Sequence, residues 1–392
     1  MKILRLLLTT VFVCVRGPRP DDRHCVKNQG SALSLDTPTG GWRIAVAVLL
    51  LAQGCQVGSR RVPIPVQHAG ETLEGKIVFV DETQASICVA NADGTENRVL
   101  PSYNQAPEHP IWFPSGDKIV YTTRWSEPKE IVMVDLAGTA LKRIPCVDSL
   151  SNIVEITDVS LDGATALLTK SGAVTDDSGI YKLAIKDGTL TKILGENDAA
   201  LALSEVRCKR VHVSHGTWSP DGEQISLTVS CSDIGCAIGI MRSDGSSLRL
   251  LTEFPQDKAK WRGFTNHGWS PDGGKILATN YRFSPRGLGY DPPYGEQVFV
   301  IDIASKRNRQ VPSDSRYDRG DPCWSPNGAK ILYSETRVAR DLTYDRCLVV
   351  IDAGGNNPRR LFRGPWSWLY FLPLVQGQND MEPRWWSPKP LE

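Results

Sequence analysis

The feature that most limits the fold is a hairpin written five times. WFPSGDKIVYTT (112–123), VSLDGATALLTK (159–170), WSPDGEQISLTV (218–229), WSPDGGKILATN (269–280) and WSPNGAKILYSE (324–335) each read as a short strand, a tight turn and a second strand. Pro fixes φ at the first corner, Asp or Asn accepts a local hydrogen bond, and Gly takes the positive φ that closes the hairpin. Beyond the Gly, side chains alternate inward and outward, as in Lys275-Ile276-Leu277-Ala278.

A second hairpin follows each of these: 131–144, 180–194, 238–251, 298–311 and 348–362. A sixth, 87–100, comes earlier and is preceded by GKIVFVD (75–81), a second strand with no Trp-containing first strand before it. The chain ends on EPRWWSPKPLE, a first strand and turn with no second strand after them. Arg384–Pro388 is therefore expected to pair beside Lys76–Val80. The fold expected is all-β: a six-bladed β-propeller of four-stranded antiparallel blades, closed by the C-terminal strand against the N-terminal blade, which hides edges that an open array would expose. Successive first-strand positions lie 47 to 62 residues apart, long for propeller blades, so some loops carry insertions.

Trp-Ser-Pro-Asp-Gly-x-Lys-Ile, followed by an Ile-rich strand ending in Asp-Gly, resembles the repeats of the TolB-type β-propellers. The copies at 218, 269 and 324 match closely; at 159 Val159 and Leu161 replace Trp and Pro. The resemblance covers 75–392. TolB itself carries an N-terminal α/β domain that segment 56–74 has no room for, so the likeness is to a TolB-like propeller and not to TolB proper.

Ahead of the repeats, two apolar runs fall within residues 1–55 and read as an export leader. The second, WRIAVAVLLLAQGC, ends on Gly54-Cys55 and resembles the bacterial lipoprotein signal, in which Cys55 would carry lipid; an ordinary export signal or an uncleaved anchor is the alternative. Residues 56–74 are polar and Pro-containing, as suits a linker. No run reaches the ~18–20 apolar residues of a membrane-spanning helix, which leaves membrane contact to a lipid anchor. Lys and Arg number 45 and Asp and Glu 44, so nothing points to a nucleic acid or another polyanion.

In an up-and-down blade the Ser-Pro-Asp-Gly turns and the Asp-Gly hairpins share one face, and the longer connections share the other. Long loops on a rigid scaffold are where binding usually sits. The segment YRFSPRGLGYDPPYG (281–295) offers Tyr281, Arg282, Arg286, Tyr290 and Tyr294, contact residues of the favoured kind; a packed structural insertion is the alternative. His109, His215 and His267 are read as lying just before first strands, with Asp321 in the equivalent place, so they should crowd the channel mouth. Imidazoles and a carboxylate suit a divalent metal; capping of strand ends is the plainer reading. With a metal there, the chain would resemble the oligogalacturonate lyases.

GETLEGKI (70–77) has the spacing of a phosphate loop but lacks its Ser or Thr and runs into a strand. No G-x-S-x-G and no H-E-x-x-H occurs. Of the cysteines beyond the leader, Cys231 and Cys236 flank one strand-to-strand connection, which makes a disulfide between them geometrically easy; seven buried thiols are the alternative. The expectation is a monomeric, non-enzymatic binding or scaffold protein of the bacterial cell envelope, periplasmic or otherwise extracytoplasmic. It needs no cofactor and recognises a protein or an envelope polymer through its long-loop face. The alternative is a metal-dependent, lyase-like carbohydrate-active enzyme with a His/Asp site at the channel mouth.

Overall fold

The computed structural model describes residues 64–65, 73–81, 86–101, 106–124, 126, 128–146, 153–171, 177–255, 261–282, 296–312, 317–338, 344–363 and 384–386. The leader and most of the linker lie outside them, as do Cys55, Arg286, Tyr290 and Tyr294. Tyr281 and Arg282 end a strand, but their side chains are likewise outside the description.

The turn motif does the local work expected of it. Ser219 Oγ donates to Asp221 Oδ1 (2.5 Å) and accepts from Gln224 N (2.9 Å), while Asp221 Oδ1 also accepts from Glu223 N (3.0 Å). The same three bonds recur at Ser270/Asp272 and Ser160/Asp162, and Asn327 replaces Asp beside Ser325. Gly222, Gly273 and Gly328 close these turns at φ of 74°, 70° and 70°, a region open to Gly at no steric cost. The divergent copy at 159 keeps its Ser, Asp and Gly, and so keeps the hairpin.

Each repeat is a four-stranded antiparallel meander whose first strand lies at one edge of the meander and ends in Trp in all but the third. The second repeat runs Pro107–Trp112, Lys118–Thr123, Glu130–Asp135, Ala140–Pro145, and the third Ile153–Val159, Thr165–Lys170, Gly179–Ala184, Leu190–Gly195. The sixth runs Asp318–Trp324, Lys330–Val338, Tyr344–Asp352, Arg359–Arg360. In the first, Arg384–Trp386 pairs with Lys76–Asp81 in the register Lys76↔Trp386, Val78↔Arg384, and Ser86–Asn91 and Arg98–Val99 complete the sheet.

The expectation of six separate four-stranded blades needs correction. Four such sheets stand alone; the fourth repeat (from Val211–Trp218) and the fifth (from Trp261–Trp269) are joined into one eight-stranded sheet. The join is a parallel bridge between Cys236 and Gly263. Gly263 has φ of 99°, and a Cβ there would overlap the Cys236 carbonyl oxygen, so the two backbones approach only because the residue is Gly.

Packing runs from sheet to sheet. Val78, Ile87 and Val89 of the first repeat meet Trp112, Ile119 and Val132 of the second. Equivalent clusters join each repeat to the next, and Leu332, Leu348 and Val350 of the sixth meet Ile77, Phe79 and Cys88 of the first. Fully burying one such Ile, Leu or Val is worth about 1.5–3 kcal/mol, so every sheet depends on both neighbours.

Two elements were not expected. A short helix, Glu196–Ala202, occupies the start of the connection after the third repeat. Ile64–Pro65, within the presumed linker, pairs antiparallel with Phe362–Arg363 beyond the outermost strand of the sixth repeat.

The disulfide is also different. Cys231 is bonded to Cys208, with Cα atoms 5.7 Å apart, and half-buried Cys236, whose Sγ lies 3.2 Å from Ser230 Oγ, takes no part in the bond. Register excludes the Cys231–Cys236 bond: Ser230 pairs with Cys236 and Cys231 with Gly235, so the Cys231 and Cys236 side chains leave opposite faces of the sheet.

Candidate functional site

The channel histidines are not just before the inner strands but inside them. Counting back from the Trp that ends each strand, His109, His215 and Asp321 hold the third place and His267 the second. At this level pairing with the second strand slips, between Glu108 and Ile111, Ser214 and Thr217, Thr265 and His267, and Gly320 and Cys323. Such bulges re-aim side chains. His109, His215 and Asp321 adopt φ of 53°, 54° and 49°, costly for non-Gly residues and found where surroundings enforce it.

What the bulges bring together centres on Glu155, from the inner strand of the divergent third repeat. Its Oε1 lies 3.5 Å from His215 Nδ1 and its Oε2 3.7 Å from His109 Nδ1, while Thr169 Oγ1 donates to Oε1 at 3.2 Å. One carboxylate thus links the second, third and fourth repeats. Burial pushes the Glu155 carboxyl up, but the two histidines and the Thr169 hydroxyl outweigh it and hold it at about 2. The His215 ring meets His267 edge-on with centroids 5.3 Å apart, extending the layer to the fifth repeat. Asp321 is held by the Ser334 hydroxyl of its own repeat, at 3.1 Å.

His267 is almost fully buried. Its Nδ1 lies 3.4 Å from Thr228 Oγ1, and with Nε2 unpartnered the ring's bond to the Ser226 carbonyl assigns the proton to Nδ1. Nε2 is a bare lone pair, buried and unpartnered. Burial, helped by His215, pushes the imidazole down to about 3, so it stays neutral. Asp158, three residues after Glu155, accepts from Val159 N at Oδ1 and from Trp218 N at Oδ2, both at 2.8 Å. Burial raises its carboxyl to about 6 against these bonds and the nearby Arg384 charge.

These groups do not form a preassembled metal centre. Among the described residues, the grouping of three His, Cys, Asp or Glu close enough to share an ion is Cys208, Cys231 and Asp233, and its two sulfurs are already a disulfide. His109 and His215 bracket Glu155 from two sides, at separate oxygens, rather than converging on one point.

On the turn side of this layer lies a cavity of about 740 Å³, within the usual range for small-molecule sites. Thr157, Asp158, His267 and Arg384 line it together with Trp112, Trp218, Trp269 and Trp324 and the prolines of the turns. The working region expected on the long-loop side thus has a described counterpart on the opposite face. Sequence reasoning missed Glu155, Asp158 and Arg384. A signal for the first two existed: the one inner strand that loses its Trp carries both acids.

The sheets and their packing define this chain as a β-propeller of four-stranded antiparallel repeats. No known family profile matches it. Its structure is similar to that of TolB from Acinetobacter baumannii (TM-score 0.55, 18% identity, 80% of this chain and 67% of that one). It is also similar to putative TolB from Agrobacterium tumefaciens (TM-score 0.50, 18% identity, 75% and 92%). In sequence it is 22% identical over 235 residues to the uncharacterized peptidase YuxL of Bacillus subtilis strain 168, a match spanning 51% of this chain and 32% of that relative's length. At these identities the likeness is one of fold.

Proposed function

We propose that the chain is a non-enzymatic binding or scaffold propeller of the bacterial cell envelope, recognising a protein or envelope polymer. The observation that carries this reading is the turn-side cavity, lined by indoles and prolines together with Asp158, His267 and Arg384. The leader read from residues 1–55 and the TolB-like fold support an extracytoplasmic setting, with Cys55 as the lipid-bearing residue. Counting the eight-stranded sheet as two blades, we read the ring as six-bladed and closed by the pairing of Arg384–Trp386.

Gly268 lines the cavity, and a Cβ there would meet nothing within 4 Å. Gly268→Phe therefore fills the cavity without straining the backbone. It should abolish capture of the envelope partner while leaving Tm unchanged. Replacing 282–294 by a Gly-Ser linker is the contrasting variant. Loss of capture with the linker, and retention with Gly268→Phe, would assign binding to the long-loop face and to Tyr281, Arg282, Arg286, Tyr290 and Tyr294.

One observation favours an enzymatic second reading: His109, Glu155, His215 and His267 share one level of the channel, and His267 Nε2 is bare. A metal drawn into this layer would serve a lyase-like reaction on carbohydrate. Elemental analysis decides it: about one transition metal per chain, lost in His215→Ala or His267→Ala, would replace the binding reading.

A further inference from the structure

Two of the repeats' Trp residues bond the inner strand of the preceding repeat through the indole N–H. Trp269 Nε1 donates to the Thr217 carbonyl of the preceding repeat at 3.1 Å, and Trp112 Nε1 donates to the Arg384 carbonyl at 3.3 Å. Trp324 does not: its Nε1 is buried and unpartnered. Trp324 and His267 line the same cavity, both at least nine-tenths buried. The wall therefore holds one unused donor, which can only donate, and one unused acceptor, whose proton is committed to the other ring nitrogen. Leaving such buried groups without a partner is costly.

A hydroxyl is the simple group that answers both, since it donates and accepts. Charge narrows the choice further. Asp158 and Arg384 line the cavity together, so a carboxylate or phosphate meets a like charge at Asp158 and also leaves the His267 lone pair unanswered. An ammonium would face Arg384 and leave the Trp324 N–H unused. The remaining wall offers the half-buried indoles of Trp218 and Trp269, suited to the apolar C–H faces of a ring.

We propose that the turn-side cavity is a saccharide site, taking a neutral, hydroxyl-rich unit of a glycan. The proposal rests on the binding reading above and names its ligand class. Both atoms are buried in the unliganded chain, so binding has to turn the Trp324 and His267 side chains toward the ligand, which would perturb the indoles.

The test uses the full chain and three trisaccharides of equal length: N-acetylglucosamine (neutral), galacturonate (anionic) and glucosamine (cationic). Binding is read by tryptophan fluorescence and by alkylation of Cys323, a half-buried thiol in the cavity wall, followed on its own peptide by mass spectrometry. The neutral sugar should shift the fluorescence and slow alkylation, with at least tenfold weaker effects from the charged ones. Trp324→Phe, which keeps a ring but removes the N–H, should weaken binding about five- to tenfold, and Gly268→Phe should abolish it, both with Tm retained. Equal or tighter binding of a charged sugar overturns the proposal. So does failure of every neutral oligomer in a panel of glucose, mannose, galactose and N-acetylglucosamine at millimolar concentration. If all neutral sugars fail while Gly268→Phe still blocks partner capture, the saccharide falls and the binding propeller stands; if Gly268→Phe is silent as well, both fall.

Discussion

Glu155 Oε1 and His215 Nδ1 lie 3.5 Å apart across the boundary between the third and fourth repeats. The carboxylate also serves His109, so its loss touches three repeats at once. Glu155→Gln keeps the shape and removes the charge; it should destabilise the chain by about 1–3 kcal/mol in urea unfolding. Because the folded carboxyl is held near 2, below its ordinary 4.5, its contribution is complete above pH 4.5 and is lost as pH falls toward 2. Unchanged stability in Glu155→Gln would remove this residue from the list of contacts that hold the channel.

His267 carries the second pH dependence. Its folded value, about 3, lies below the ordinary 6.5, so between those values the unfolded chain holds a proton that the folded chain does not. Stability should therefore fall as pH drops from 6.5 toward 3. His267→Gln cannot take up that proton, and its pH–stability curve should lack this loss when compared with wild type.

Asp158 should act in the opposite sense. With a folded value near 6 against an ordinary 3.8, it favours the folded state while protonated, and that advantage declines as pH rises from about 4 to about 6. Carbonyl chemical shifts of Asp158 should titrate with a midpoint near 6. A midpoint near 4 would mean that the cavity floor is far wetter than the structure shows.

Gly263→Ala tests the fusion of the fourth and fifth repeats. A side chain at φ of 99° and overlap with the Cys236 carbonyl should together cost at least about 2 kcal/mol. A melting curve indistinguishable from wild type would show that the bridge is dispensable.

Cysteine connectivity is open to direct measurement. Non-reducing peptide mapping should recover Cys208 linked to Cys231, and Cys208→Ser should cost about 2–4 kcal/mol. Cys236→Ser should change little. Recovery of a Cys231–Cys236 peptide would overturn the register between Gln224–Cys231 and Gly235–Arg242.

The hairpins could be read in the sequence because their determinants are local: Ser219, Asp221 and Gly222 act within six residues. The pairing of Lys76–Val78 with Arg384–Trp386 could be read because each end of the repeat array lacked what the other carried. The polar layer could not. His109 and His215 meet Glu155 only after bulges turn them, and a bulge leaves no letter in the sequence. The Cys208–Cys231 bond was hidden for a related reason: nearness in sequence favoured Cys236, while strand alternation sent its side chain to the wrong face. The bridge at Gly263 depends on two backbones touching, which no repeat pattern records.

The two-residue ladder of Ile64–Pro65 on Phe362–Arg363 has a mechanical consequence. Tension on the chain ahead of residue 64 is taken first at the outer rim of the sixth repeat. It reaches the seam between Lys76–Val78 and Arg384–Trp386 only once that ladder has peeled. The rim pairing acts as a strain relief for the seam, as a cable clamp spares a connector: a tug is spent on a short, readily re-formed zipper before it can unlace the ring.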